Sequence, residues 1–203
     1  MDIAAELQRG LALHQQGHLL EAGETYRQIL AVDPQHVDAL NLMGVVMQAA
    51  GDLEMAEDLL VRATKLAPDY FAPFANLGNA LQAMGRLSEA IDAFHTALDL
   101  NADSVETVNN LASALNQTKQ FEAALEASEQ ALKLLTAFPE ALVNKGNALL
   151  GLGRPDEGIA AYQKALELAP GHGNALFNLA NAFVDLEDFE AAIDPYRQSL
   201  AHD

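Results

Sequence analysis

The feature that most constrains this chain is a sequence period of 34 residues. The runs Asn76-Leu77-Gly78-Asn79-Ala80-Leu81, Asn144-Lys145-Gly146-Asn147-Ala148-Leu149 and Asn178-Leu179-Ala180-Asn181-Ala182-Phe183 lie 68 and 34 residues apart. A fixed period of this length specifies a stack of similar supersecondary units, each burying its apolar face against its neighbours, and excludes a globular fold closed around one core. Arrays of this kind bind other molecules along an extended surface and rarely carry chemistry of their own.

Six units fit in phase: 3–36, 37–70, 71–104, 105–138, 139–172 and a shortened 173–203. Within each, apolar residues recur at three- and four-residue spacing, the pattern of amphipathic helix. A break falls near the middle, where Gly17, Gly51, Gly85 and Gly153 occupy one repeat position and Lys119 and Glu187 substitute for them. Glycine there suits the left-handed end of a first helix. After the break, Glu54, Ser88, Glu122, Asp156 and Glu190 favour the start of a second helix by meeting free amides and the dipole, and Pro155 fits the same first turn. The second helix runs on to Pro34, Pro68 or Pro170. The expectation is an all-α protein, a right-handed α-solenoid of about six helix-turn-helix repeats, forming a single array over residues 1–203.

This pattern resembles the tetratricopeptide repeat family over nearly the whole chain. The small residue of the family's first helix matches Gly10, Gly44, Gly78, Ala112, Gly146 and Ala180. The small residue of its second helix matches Ala22, Ala56, Ala90, Ala124, Gly158 and Ala192. Its large partner matches Tyr26, Leu60, Phe94, Tyr162 and Tyr196, with Ser128 as the exception, and its second alanine matches Ala63, Ala97, Ala131 and Ala165, with Ile29 and Ser199 at the ends. Small residues let helices approach closely, and the large residue fills the remaining gap.

Departures from the pattern mark expected weak points. The fourth unit lacks the turn glycine (Lys119), the large residue (Ser128) and the closing proline (Thr136), and should be the softest. In the sixth, Pro195 falls inside the second helix, which should kink or start late. No polar capping helix follows before His202-Asp203, so the expectation is a fragment of a longer protein or an open end that meets a partner.

Two rows of amides stand on the first helices, which in this family line the inner surface. One holds Asn76, Asn110, Asn144 and Asn178; the other, three residues on, holds Asn79, Ser113, Asn147 and Asn181. Residues three apart share a helix face. Asparagine is a mediocre helix former, so its repetition within a helix needs a reason. Its amide offers a donor and an acceptor, the complement of a peptide backbone. The first row is similar to the asparagine ladder in the repeats of O-linked N-acetylglucosamine transferase, which contacts the backbone of bound polypeptide; Gln8 and Leu42 interrupt it in the first two repeats. That resemblance reaches the four residues of the first row; with the second row on the same helix face, the expected peptide-binding face holds Asn76, Asn79, Asn110, Asn144, Asn147, Asn178 and Asn181. The competing expectation is that these amides bond to neighbouring helices.

Other chemistries find little support. The family's carboxylate clamp needs basic residues on the first helices, and only Lys145 stands near the row, at a position usually apolar. His14 and His18 are separated by Gly17, and His36, His95, His172 and His202 sit at junctions or outer positions, so no metal set forms. No nucleophile–base pair or phosphate loop occurs, and no catalytic residue, metal or cofactor is expected. Absence of cysteine rules out disulfides and thiol chemistry. A net charge of −18, from 11 basic and 29 acidic residues, repels nucleic acid and anionic lipid. No apolar run is long enough to span a membrane and no secretory signal opens the chain, which leaves the cytoplasm as the expected compartment. The expected function is a non-enzymatic scaffold that binds a protein or extended peptide. The alternatives are the substrate-recruiting part of a larger enzyme, such as a glycosyltransferase or sulfotransferase, and self-association through the uncapped C-terminal end.

Overall fold

Helix, tight turn, helix is the structure that these repeats adopt. The computed structural model describes residues 1–201, and among them there are twelve α-helices and no strand. The chain divides into two compact units, Met1–Ala102 and Asp103–Asp203. The first contains α1 (Ile3–Gln15), α2 (Leu19–Val32), α3 (Val37–Ala49), α4 (Leu53–Leu66), α5 (Phe71–Ala83) and α6 (Leu87–Leu100). The second contains α7 (Val105–Gln117), α8 (Phe121–Leu134), α9 (Pro139–Gly151), α10 (Pro155–Leu168), α11 (Gly173–Asp185) and α12 (Phe189–Ala201). Inside each unit a first helix packs on its own second helix and on any second helix before it, and α3 packs on α5, α7 on α9 and α9 on α11.

The turn within each repeat is set by local hydrogen bonding. In the first, the amide of His18 donates to the carbonyl of Leu13 and that of Gly17 to the carbonyl of His14, both at 2.9 Å, with Gly17 at φ +80°. This pair of bonds closes a helix end when one residue turns left-handed. Lys119 and Glu187 take the same conformation, each at φ +61°, and the bonds persist: Gln120 donates to Leu115 and Asp188 to Phe183. The fourth repeat therefore keeps the shape of the others, and α8 runs its full length, while Lys119 bears a strain of about 1 kcal/mol that glycine avoids.

Helix starts differ from expectation in one respect. Glu54, Glu122 and Glu190 lie one residue inside their helices, where they complement the dipole. The bonds to free amides come from earlier residues: Asp52 accepts from Met55 and Asp188 from Ala191, each at 3.1 Å. His36 and His172 do the same for α3 and α11, their Nδ1 atoms accepting from Ala39 and Ala175 at 3.3 Å. Two of the histidines placed at repeat junctions or outer positions are thus helix caps; His202 lies outside the described residues. The late start expected of the last helix is not seen. α12 begins at Phe189, the repeat position at which the other second helices begin, and holds Pro195 within it.

The core is a repeated contact between a residue without a side chain and a large one. A methyl placed on Gly44 would stand 2.7 Å from Leu60 Cγ, and methyls on Gly10, Gly78 and Gly146 would collide with the rings of Tyr26, Phe94 and Tyr162. Those three rings are almost fully buried, as are Ala63, Ala97, Ala131 and Ala165 behind them. In the fourth repeat both members change together. Ala112 faces the second helix instead of glycine, and the buried Ser128 satisfies its hydroxyl by donating to the carbonyl of Ala124 at 2.7 Å.

Candidate functional site

The asparagine rows sit where the first helices of neighbouring repeats meet, and many of their amides bond across that junction. In the first unit, Asn76 Nδ2 on α5 donates to Asn41 Oδ1 on α3 at 2.8 Å. In the second, Asn144 Nδ2 on α9 donates to Asn109 on α7, to the side-chain oxygen at 2.8 Å and to the carbonyl at 3.2 Å. Both pairs have a spacing of 35 residues, one repeat and one residue. Asn178 on α11 has Val143 at that distance behind it and turns instead to Asn147 Oδ1, at 3.0 Å. Asn79 and Asn110 are engaged as well.

The second row is tied to tyrosine. The hydroxyl of Tyr162 on α10 donates to Asn147 Oδ1 at 2.6 Å, and that of Tyr196 on α12 donates to Asn181 Oδ1. Burial pushes the Tyr162 phenol well above its ordinary range, which keeps it protonated and a donor. An asparagine 15 residues before a tyrosine is the signal, and it is readable in the sequence once the pairing is known. Where it fails, the hydroxyl is orphaned: Tyr26 has Leu11 at that spacing, and its buried oxygen has no partner. Tyr162→Phe is therefore expected to cost about 0.5–1.5 kcal/mol, whereas Tyr26→Phe should be neutral or stabilising. Urea denaturation of the two variants checks this; equal losses would remove Asn147 from the account.

Sequence reasoning also missed Asn41, Asn109 and Asn116 as partners. Asn116 Nδ2 donates to the carbonyl of Asn144 at 2.9 Å, and its buried oxygen is unpaired. Depth separates the members of the rows. Asn144 is 9% exposed, with its amide turned to Asn109. Asn76, Asn79, Asn110, Asn147, Asn178 and Asn181 are half-buried, with part of each side chain open to solvent. Lys145, one residue on from Asn144, sends its ammonium across to Glu129 on α8 at 2.8 Å, away from any clamp. No group of three acids or histidines is placed to hold a metal among the described residues, and none of their helices is long and apolar enough to cross a membrane.

Helical hairpins in register, joined by amides between successive first helices, define an α-helical repeat protein of the solenoid class. The chain belongs to the tetratricopeptide repeat family: models described as Tetratricopeptide repeat match residues 13–81, 76–141 and 138–203. Membership makes it a scaffold for protein interaction. No curated protein matches the chain. Among solved structures, a chain of the APC/C hetero-tetramer Cut9–Hcn1 is 19% identical with a TM-score of 0.88, over 99% of this chain and 40% of that one. PilF of Pseudomonas aeruginosa is 22% identical with a TM-score of 0.81, over 97% of this chain and 89% of that one. YrrB, described as a TPR protein with an unusual peptide-binding site, is 20% identical with a TM-score of 0.69, over 89% and 93%. At such identities the likeness is one of fold.

Proposed function

We propose that residues 1–203 form one array that holds an extended peptide on the asparagine-bearing face of its first helices, without catalysing a reaction. The observation that carries this reading is the half-burial of the amides. Bonds to neighbouring side chains, from Asn76 to Asn41, from Asn178 to Asn147 and from Tyr196 to Asn181, fix these amides in place, so that little rotamer entropy remains to be lost when a backbone amide or carbonyl docks against the open edge. YrrB, of the same fold, is described as having a peptide-binding site, which supports peptide as the ligand class. Asn144, closed off beneath the surface, serves to align α9 with α7, and the contacts to ligand fall to Asn76 and Asn79 in the first unit and to Asn110, Asn147, Asn178 and Asn181 in the second.

The test uses peptides selected from a random displayed library against the whole chain. Asn178→Ala with Asn181→Ala, and separately Asn76→Ala with Asn79→Ala, are expected to weaken binding about five- to hundred-fold, two neutral hydrogen bonds being worth roughly 1–3 kcal/mol. Helicity should be retained, and binding should change little with salt, because neutral amides carry the contact. Selected peptides that bind both double variants as tightly as the parent would remove the asparagine face from the proposal.

A further inference from the structure

One position on the first helices changes character in the last repeat. It holds Leu7, Asn41, Ala75, Asn109 and Val143 in the earlier repeats and an aromatic residue, Phe177, on α11. Asn41 and Val143 are 5% and 6% exposed, whereas Phe177 is 51% exposed. The open ring is held in place. Tyr196 on α12 makes a T-shaped contact with it, the ring centres 5.9 Å apart. The same Tyr196 donates its hydroxyl to Asn181 Oδ1. Asn181 comes four residues after Phe177, one turn along the same face of α11. A single tyrosine thus fixes both an exposed aromatic ring and one of the half-buried amides.

We propose that Phe177 selects an aromatic side chain of the bound peptide, beside the stretch of backbone that Asn181 holds. The inference rests on the peptide-binding reading and adds what neutral amides lack, a preference for one kind of side chain. Asn181 accepts from Tyr196 and keeps its amide hydrogens for a backbone carbonyl. Residues one helical turn apart stand about 5–6 Å from each other, and an extended peptide advances about 3.3 Å per residue. A carbonyl docked on Asn181 therefore brings its own side chain, or a neighbour's, over the Phe177 ring. The surroundings select the chemistry of that side chain. α11 carries no charged residue before Asp185, and on α12 Asp194 and Arg197 pair with each other at 3.1 Å. No fixed charge on α11 beside the ring favours a basic or acidic group. An aromatic side chain gains from ring-to-ring contact as well as from the area it buries.

The test takes peptides selected from the random displayed library against the whole chain. They are expected to share an aromatic residue at one place. Replacing that residue by alanine, or Phe177→Ala in the protein, should each weaken binding about ten-fold or more, with no further loss when both changes are made. Phe177→Ala should retain helicity, since half of the ring lies in solvent. Phe177→Leu, apolar without a ring, should recover only part of the affinity. The coupling should persist in Asn76→Ala with Asn79→Ala, which lie in the other unit. Peptides that need the asparagines but show no coupling to Phe177, or that share a basic residue in place of the aromatic one, would overturn this inference and leave the backbone reading standing. Coupling to Phe177 in peptides indifferent to Asn178→Ala with Asn181→Ala would uphold the ring's role and remove that of the amides. A library that yields no binder removes both. A chain that self-associates by sedimentation and is returned to monomer by Phe177→Ala would assign the ring to a contact between copies, against the proposal.

Discussion

Phe94→Ala is expected to cost about 3–5 kcal/mol and to lower the melting temperature by roughly 6–20 °C. The ring is fully buried and fills the space that Gly78 leaves on α5. The neighbouring substitution gives the sharper test. Gly78→Ala alone should destabilise, because its methyl would lie 2.5 Å from Phe94 Cδ1 and Cε1, nearer than carbon atoms approach. In the Phe94→Ala background the same methyl enters the cavity and restores about 1–2 kcal/mol, part of it from the better helix propensity of alanine. A change of sign between backgrounds, read by urea denaturation, would identify the pair as one packing unit. Hydrogen exchange should place the damage in residues 71–104 and their neighbours, since each repeat is held mainly by those beside it. A loss below about 1 kcal/mol, or one spread evenly over the chain, would mean that the ring is not the strut of its repeat.

The fourth repeat should show the converse. From the family pattern alone, Ser128→Tyr restores a missing large residue and ought to stabilise. The structure argues against this expectation, because Ala112 already occupies the place where the buried Leu60, Phe94 and Tyr162 meet Gly44, Gly78 and Gly146; Tyr196, whose repeat carries Ala180 at that position, is only half-buried. Ser128→Tyr by itself is expected to overpack and cost about 1–3 kcal/mol, with the bond to Ala124 lost as well. Combined with Ala112→Gly it should gain stability, since a tyrosine side chain then buries its area in a prepared gap. The interaction energy between the two changes, which is zero if they add, is the quantity to measure. Additive effects would show that α7 and α8 do not meet through these two positions.

The helices and their turns were legible because their causes are local. Apolar spacing of three and four residues, a glycine that turns left-handed, and the period itself place twelve helices without reference to any distant contact. Locality also explains why Lys119 and Glu187 keep the turn: the bonds to Leu115 and Phe183 belong to the main chain, and only the strain depends on the side chain. The caps were less legible. His36 and His172 act through a ring nitrogen, a role that a neutral histidine fills only once its rotamer is fixed by the fold.

The amide rows show where sequence stops. Their residues, their period and their common face were visible in the chain. Which partner an asparagine takes depends on what stands 35 residues earlier: Asn41 receives Asn76 and Asn109 receives Asn144, whereas Asn178 has Val143 there and turns to Asn147. Whether a tyrosine hydroxyl is satisfied depends on the residue 15 positions before it, asparagine for Tyr162 and leucine for Tyr26. The sequence by itself determined the all-α repeat, its register and its family, because backbone hydrogen bonds and apolar periodicity act over a few residues. Only the tertiary structure decided which amides are spent inside the protein and which face outward, because burial and hydrogen-bond partners are set by side chains that packing, not chain order, brings together.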